Sequence, residues 1–295
     1  MDKKIGWIGT GVMGAPMCGH LLDGGYSVSV YNRSEEKIRD LVKRGATACS
    51  GPKEVAQNSD VIFTIVGYPK DVEAVILGEG GVVEGLSDGA TIVDMTTSEP
   101  SLAKRIEDAA TANSATALDA PVSGGDVGAR DGSLAIMVGG DRKVFDAVLP
   151  MFELMGSNIA YMGPAGAGQH TKMSNQILIA STMIGVVESL LYAFKAGNDL
   201  NEVIDVIGSG AASSWSINNL GRRIVKGDLN PGFFIKHFVK DMGIALDEAR
   251  RMKLTLPGLA LSHQFYMSAM AVGLENLGTQ GLYKVFSNMN GIGDK

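Results

Sequence analysis

Residues Met1 to Gly14 read Met-Asp-Lys-Lys-Ile-Gly-Trp-Ile-Gly-Thr-Gly-Val-Met-Gly, a short apolar strand that runs directly into Gly9-x-Gly11-x-x-Gly14. In that spacing the first glycine allows a tight turn and the second lets backbone approach a pyrophosphate. The third lets the following helix pack close to the strand. The helix N-terminus then offers free N–H groups and a partial positive charge to an anion. The context the pattern needs stands on both sides: Ile5, Trp7 and Ile8 form the strand, and Met13, Met17, Leu21 and Leu22 form a helical stripe that ends at Gly24-Gly25. A plain strand–turn–helix connection would use the same glycines, but the flanking pattern favours a dinucleotide site built from Gly9, Thr10, Gly11, Val12, Met13 and Gly14.

Working outward, the first half alternates β-rich runs with helical periods, the signature of a parallel sheet with helices on both faces. Strands are expected at 4–8, 27–31, 61–66, 91–95, 116–119, 134–139 and 158–161. Helices are expected at 12–24, 35–44, 52–57, 70–77, 101–113 and 142–155. Around Gly163-Pro164-Ala165-Gly166-Ala167-Gly168 the pattern changes. From Gln169 onward only helical periods follow, beginning with a run to about Ala196 and continuing at 201–208, 216–226, 239–253, 257–271 and 281–286. The expected fold is therefore α/β followed by all-α: a Rossmann-type doubly wound sheet over residues 1–163, joined by a long helix to a helical substrate and oligomerisation domain over 164–295. That helix is apolar along Ile177, Leu178, Ile179, Met183, Ile184, Val187, Leu190 and Leu191. It must be buried along much of its length, against its own domain or a second subunit, so a homodimer or homotetramer is expected.

The 295 residues, 45% of them hydrophobic, suffice for two cores. A formal net charge of −6 argues against a nucleic-acid partner. The apolar runs read as too short for a membrane span, and Asp2-Lys3-Lys4 leads straight into a strand rather than into a signal peptide. With only two cysteines, Cys18 and Cys49, a reducing, cytoplasmic setting is expected. His20, His170, His237 and His263 lie far apart, so no metal site is expected.

The choice of nucleotide turns on the end of the second strand, where an NAD-binding fold carries a carboxylate for the ribose 2′-hydroxyl. Here the stretch is Val30-Tyr31-Asn32-Arg33-Ser34, with Lys37 nearby. A guanidinium forks onto a phosphate that a carboxylate would repel. Asn32, Arg33 and Ser34 therefore point to NADP(H) in preference to NAD(H), unless Arg33 only stacks on the adenine.

Three further segments carry chemistry. Asp119-Ala-Pro-Val-Ser-Gly-Gly125 follows a strand and offers a hydroxyl with successive backbone N–H groups, suited to a carboxylate or merely to a loop. Gly166-x-Gly168-x-x-x-Lys172-x-x-Asn175-Gln176 puts Lys172 near the start of the long helix, with Asn175 and Gln176 on the same face. A lysine near a positive helix end and a low-dielectric cleft suits acid/base work, although a surface lysine opening a helix has the same pattern. Phe238-Val239-Lys240-Asp241-Met242 begins another helix.

In this order the motifs resemble the β-hydroxyacid dehydrogenase family, which contains 3-hydroxyisobutyrate dehydrogenase, tartronate semialdehyde reductase and glyoxylate or succinic semialdehyde reductases. The resemblance covers essentially the whole chain. Gly9–Met17 is similar to the family's cofactor fingerprint, Asp119–Gly125 to its substrate signature and Gly166–Gln176 to its catalytic signature. Lys240-Asp241 resembles its lysine–acid pair, and Asp94-Met95-Thr96-Thr97-Ser98 its strand-end cofactor segment. The resemblance implies Lys172 as general acid/base, with Ser123, Gly124 and Gly125 on the substrate carboxylate. Asn175 or Gln176 would orient substrate or lysine, Val66 and Thr96 would touch the cofactor, and Lys240 would contact substrate or nicotinamide.

It also implies a hydride transfer between NADP(H) and a small β-hydroxyacid or semialdehyde, or a short 2-keto acid. Two regions depart from the family pattern. Gly278-Thr279-Gln280-Gly281-Leu282 lacks the usual acidic residue, so a neutral Gln280 would face the distal end of the ligand. Tyr68 stands in a loop that is usually small or proline-containing. Trp215 either lines the pocket or belongs to the core. The competing readings are a non-enzymatic NADP(H)-binding interaction domain and an imine reductase or 6-phosphogluconate-type dehydrogenase of the same fold. The intact Lys172, Ser123 and Asn175 argue against the first, Lys172 against imine reductases, and the chain length against the last.

Overall fold

In the computed structural model, which describes residues 3–292, the chain divides by its internal contacts after Lys172. The first unit begins with strand β1 (Ile5–Ile8), helix α1 (Gly14–Asp23) and β2 (Val28–Tyr31). A 3₁₀ turn over Glu35–Ile38 runs into α2 (Arg39–Lys43), followed by β3 (Thr47–Ala48), α3 (Pro52–Gln57), β4 (Val61–Thr64) and α4 (Pro69–Leu77). Then come β5 (Thr91–Asp94), α5 (Pro100–Ala112), β6 (Thr116–Asp119), β7 (Val122–Ser123) and α6 (Gly125–Asp131). β8 (Leu134–Gly140), α7 (Arg142–Phe152) and β9 (Gly156–Gly163) complete it.

The strands form one sheet in the order β3-β2-β1-β4-β5-β6-β8-β7, with β9 on β8. Alternation along each central strand explains the double winding, because successive side chains point to opposite faces. Ile5, Trp7, Val61, Phe63 and Val93 join Met17 and Leu21 of α1, Leu41 of α2 and Phe145 and Phe152 of α7 in one core. Ile8, Ile62 and Ile92 join Val55, Val72, Ile76, Leu102 and Ile106 of α3, α4 and α5 in another. Trp7 stacks on Phe63 at 5.5 Å, which meets Phe152 edge-on at 6.1 Å.

The sheet is parallel only as far as β6. Both β6 and β7 run antiparallel to β8, and β9 returns parallel to it. The turn of chain between β7 and β8, largely the short α6, is too brief for a parallel crossover, which needs a dozen residues or more. The two-residue strands β3 and β7 and the helix α6 were not anticipated, being too short to show a period.

Among its described residues the second unit has helices and no strand beyond an isolated bridge between Phe234 and Gly278. It contains most of α8 (Ala167–Lys195), α9 (Leu200–Ile207), a π-helical turn over Ser216–Gly221 that continues as α10 (Arg222–Val225), α11 (Ile235–Arg251), α12 (Pro257–Ala271) and α13 (Leu282–Met289). Val187, Leu190, Phe238, Met242, Tyr266 and Leu282 form its core. The Tyr266 hydroxyl donates to Thr279 O at 2.9 Å.

The reading of the apolar runs as too short for a span does not hold for α8. Among the described residues it is long and apolar enough to cross a membrane, with a mean hydropathy of 1.9 over its most apolar stretch, of which 39% is buried within the chain. A helix packed into a folded unit meets the same test of length and composition, and one side of α8 is packed in this way: Ala180, Met183, Val187 and Leu190 are fully buried.

Candidate active site

The C-terminal ends of β1 and β2 lie side by side, with Gly9 N donating to Tyr31 O at 3.1 Å. Gly9 has φ +97°, and a Cβ there would stand 2.1 Å from Ile65 O; one on Gly14 would stand 2.0 Å from Gly9 O. Only glycine fits either position. Gly11 differs: no atom lies within 4 Å of where its Cβ would be, so the backbone is bare there. Val12 is 59% exposed on the same turn, and Thr10 Oγ1 is buried without a hydrogen-bond partner among the described residues. β1 and β4 are neighbours, so the turn stands where the strand order reverses, the position at which open parallel sheets take their ligands. The residues therefore fit a dinucleotide pyrophosphate laid over Gly11 and the first turn of α1, where Met13 is the N-cap.

At the end of β2, Asn32 is absorbed into holding this turn. Its Oδ1 accepts from Thr10 N at 3.0 Å and its Nδ2 donates to Ser34 O at 3.0 Å. Arg33 is exposed and makes no hydrogen bond or ion pair among the described residues. Lys37 is also exposed, and Ser34 is half-buried as N-cap of the 3₁₀ turn.

The ends of β4 and β5 are bound together. Val66 N donates to Thr96 Oγ1 at 3.0 Å. Asp94 Oδ1 accepts from Thr64 Oγ1 at 2.8 Å and from Thr96 N at 3.1 Å. Burial pushes the Asp94 carboxyl up to about 6, against the lowering effect of these donors. Its register neighbour on β6 is Asp119, whose carboxylate caps α8. Gly166 N donates to Asp119 Oδ1 at 2.7 Å and Gln169 N to Oδ2 at 2.8 Å. Two glycines make room for this cap: a Cβ on Gly139 would lie 2.4 Å from Asp119 Oδ1, and one on Gly168 would lie 2.3 Å from Met137 O. Burial raises the Asp119 carboxyl above the usual carboxylate range despite the helix N–H groups.

Ser123 closes β7, and Gly124 (φ +136°) and Gly125 (φ +64°) turn the chain into α6. Ser123 is half-buried and Gly124 exposed. Lys172, by contrast, is 6% exposed, which removes the surface-lysine reading.

Within the second unit, Asn175 Nδ2 donates to Gln176 Oε1 at 2.7 Å, and Gln176 Nε2 donates to Asp241 Oδ2 at 2.6 Å. Lys240 Nζ stands 3.1 Å from Asp241 Oδ1 as an ion pair. The four residues thus form one chain from α8 to α11, with Asp241 only 1% exposed at its centre. His237, one turn earlier on α11, is held below the usual histidine range by burial and then by the Lys240 ammonium.

Two expectations change. Gln280 does not present its amide to a ligand: it is 1% exposed, and Nε2 donates to Asp228 O at 3.2 Å and Asn230 O at 3.0 Å, pinning that loop. Trp215 is not a core aromatic, being 68% exposed just before the π-helical turn. Tyr68 is half-buried where its loop enters α4, and its N–H donates to Asp71 Oδ2 at 3.1 Å. Sequence reasoning missed the structural roles of Asp94, Asp119, Gln169 and Asp241. Each lies inside a motif whose other residues drew the attention, and only three-dimensional pairing separates them.

Residues 4–163 match the family model described as the NAD binding domain of 6-phosphogluconate dehydrogenase. Residues 166–286 match that described as NAD-binding of NADP-dependent 3-hydroxyisobutyrate dehydrogenase. The chain is 52% identical over 292 residues to a probable 3-hydroxyisobutyrate dehydrogenase-like protein of Arabidopsis thaliana, covering 99% of this chain and 87% of that one. It is 38% identical over 286 residues to the 2-hydroxy-3-oxopropionate reductase of Escherichia coli, covering 97% and 98%. A solved structure of Mycobacterium tuberculosis 3-hydroxyisobutyrate dehydrogenase with L-serine matches with a TM-score of 0.89 at 26% identity, over 97% of this chain and 99% of that one. Two family models that together take in nearly the whole chain, and relatives well above 30% identity, carry the conclusion that this chain belongs to the β-hydroxyacid dehydrogenase family of nicotinamide-dependent oxidoreductases.

Proposed function

We propose that the chain reduces a small aldehyde or keto acid bearing a carboxylate, of the semialdehyde or short 2-keto acid class, to the hydroxyacid with NADP(H), and catalyses the reverse oxidation. The observation that carries this reading is the burial of Lys172 on the second turn of α8, within one turn of Asn175. Taking an ammonium out of water costs free energy that partners must offset, and ionisable groups buried in this way are concentrated at functional sites.

When bound, the nicotinamide supplies or receives the hydride at the substrate carbon. The Ser123 hydroxyl and the Gly124 and Gly125 N–H groups receive the substrate carboxylate. Lys172 gives its proton to the oxygen as the carbonyl becomes an alkoxide, and takes it back in oxidation. Gln176 is engaged at both ends of its amide, by Asn175 and by Asp241. Asn175, with its Oδ1 uncommitted in this chain of bonds, is therefore the residue that orients substrate or lysine. Lys240 contacts substrate or nicotinamide, steadied by Asp241. Arg33 and Ser34 receive the 2′-phosphate, and this sets NADP(H) ahead of NAD(H).

Leu178 and Tyr192, exposed on one face of α8, support a homodimer or homotetramer. The buried, unpaired Cys18 and Cys49 accord with the reducing cytoplasm.

The test is oxidation of NADPH and NADH by the purified chain against succinic semialdehyde, methylmalonate semialdehyde, tartronate semialdehyde and glyoxylate. Turnover of at least one with NADPH preferred is expected. Binding of nucleotide with no turnover on any of them overturns the reading.

A further inference from the structure

Gln169 is fully buried on the first turn of α8, three residues before Lys172. Its side chain is used at both ends on a single loop. Nε2 donates to Thr96 O at 2.7 Å, and Oε1 accepts from Ser98 N at 2.9 Å. Its own N–H is held by Asp119. Thr96 in turn accepts from Val66 N through its hydroxyl. One side chain thus ties the segments after β4 and β5 to the helix that carries the lysine. A side-chain amide donates from its nitrogen and accepts at its oxygen, so one uncharged group serves both backbone partners at once.

We infer that Gln169 is a positioning residue for the reaction, fixing the height of α8 against the Thr96–Ser98 loop and so the placement of Lys172 against the reacting carbon. The inference rests on the proposed reductase reading. Gln169 touches neither the substrate nor the proton; it acts through Lys172 and the loop. Proton transfer demands hydrogen-bond reach, and a displacement of about 1 Å can remove a hundredfold in rate.

The experiment compares Gln169→Met, of similar volume and without the amide, and Gln169→Glu, which keeps the acceptor for Ser98 N but turns the donor toward Thr96 O into a second acceptor. Thr182→Ala serves as control, because Thr182 lies on α8 beyond the catalytic signature and its hydroxyl bonds within the helix, to Leu178 O at 2.8 Å. NADPH affinity is read by fluorescence titration, kcat and KM by NADPH oxidation, and the Ser98 amide by hydrogen exchange.

In both Gln169 variants kcat should fall by about ten- to a hundredfold, with KM and NADPH affinity within threefold; Ser98 exchange should be accelerated in Gln169→Met, which loses the acceptor for that N–H. The control should stay within twofold throughout. If Gln169→Met does not fold, Gln169→Glu carries the test alone. A wild-type chain that turns over, with a variant keeping kcat within twofold or losing only NADPH affinity, overturns this inference and leaves the function standing. A wild type that oxidises NADPH with none of the aldehydes removes both.

Discussion

Arg33 stands at the end of β2 with its guanidinium in solvent, beside a turn whose geometry Asn32 already holds. Its charge therefore has no structural task among the described residues. Arg33→Ala should lower the NADPH-to-NADH ratio of kcat/KM by about ten- to a hundredfold, the equivalent of one charged hydrogen bond of about 1.5–3 kcal/mol. An unchanged ratio would sink the 2′-phosphate assignment. Lys172→Ala should lower kcat by about 10²–10⁴ while leaving NADPH affinity, measured by titration, within threefold; near-full kcat would remove the proposed acid/base step. Asp94 makes a different prediction. Burial raises its carboxyl from 3.8 to about 6, so the folded chain holds that proton more tightly than the unfolded chain does. The associated stability is complete below about pH 4 and is lost as pH rises through about 6, amounting to about 3 kcal/mol. Asp94→Asn keeps an Oδ1 acceptor for Thr64 and Thr96 but removes the titration. The wild-type minus variant unfolding free energy, from urea titrations, should therefore fall between pH 4.5 and 7.5. A flat difference across that window would contradict the burial argument.

At the scale of elements, the start of α8 is the most constrained point. A helix of 29 residues has a dipole whose positive end must be met, and here Asp119, reaching from β6, meets it where no residue of the helix does. The arrangement exists only because Gly139 and Gly168 carry no side chain. Gly139→Ala should cost about 1–3 kcal/mol by overpacking, whereas Gly243→Ala, with open space around it on α11, should gain about 0.5–1 kcal/mol from helix propensity. Thermal denaturation of the two variants reads opposite signs; a Gly139→Ala protein as stable as wild type would mean that the cap is not tightly packed. Such contrasts mark the limit of the sequence. Periodicity revealed β1, β4, β5 and α8 because each repeats its pattern for a full element. It could not distinguish the glycine that accommodates Asp119 from one that merely turns a loop. Nor could it reveal β7 and the reversal at β8, which depend on a connection being too short rather than on a pattern.

Across the whole molecule, motif order carried the family, because several motifs with their spacing are far more restrictive than any side-chain environment. The environments themselves were not legible: Gln280 turned out to pin a loop and Trp215 to be exposed, since a side chain's direction depends on partners distant in sequence. The same dependence applies to α8, whose composition announced burial without saying by what. Leu178 is 70% and Tyr192 78% exposed in the single chain, about four turns apart on one face, with Ser181, Gly185 and Glu188 exposed between them. Small residues at the centre of such a face let a second helix approach closely, and exposed leucine and tyrosine at its ends supply apolar area. In a monomer, replacing these exposed residues by glutamate would change stability by no more than about 0.5 kcal/mol. In an oligomer that buries them, each substitution places an unpaired carboxylate in the interface. Sedimentation equilibrium of the wild type should therefore give at least twice the 30.9 kDa chain mass. The double variant Leu178→Glu, Tyr192→Glu should fall to the single-chain mass with its helical circular dichroism retained. A wild type that is monomeric at micromolar concentration, or a double variant of unchanged mass, would show that this face of α8 is not where subunits meet.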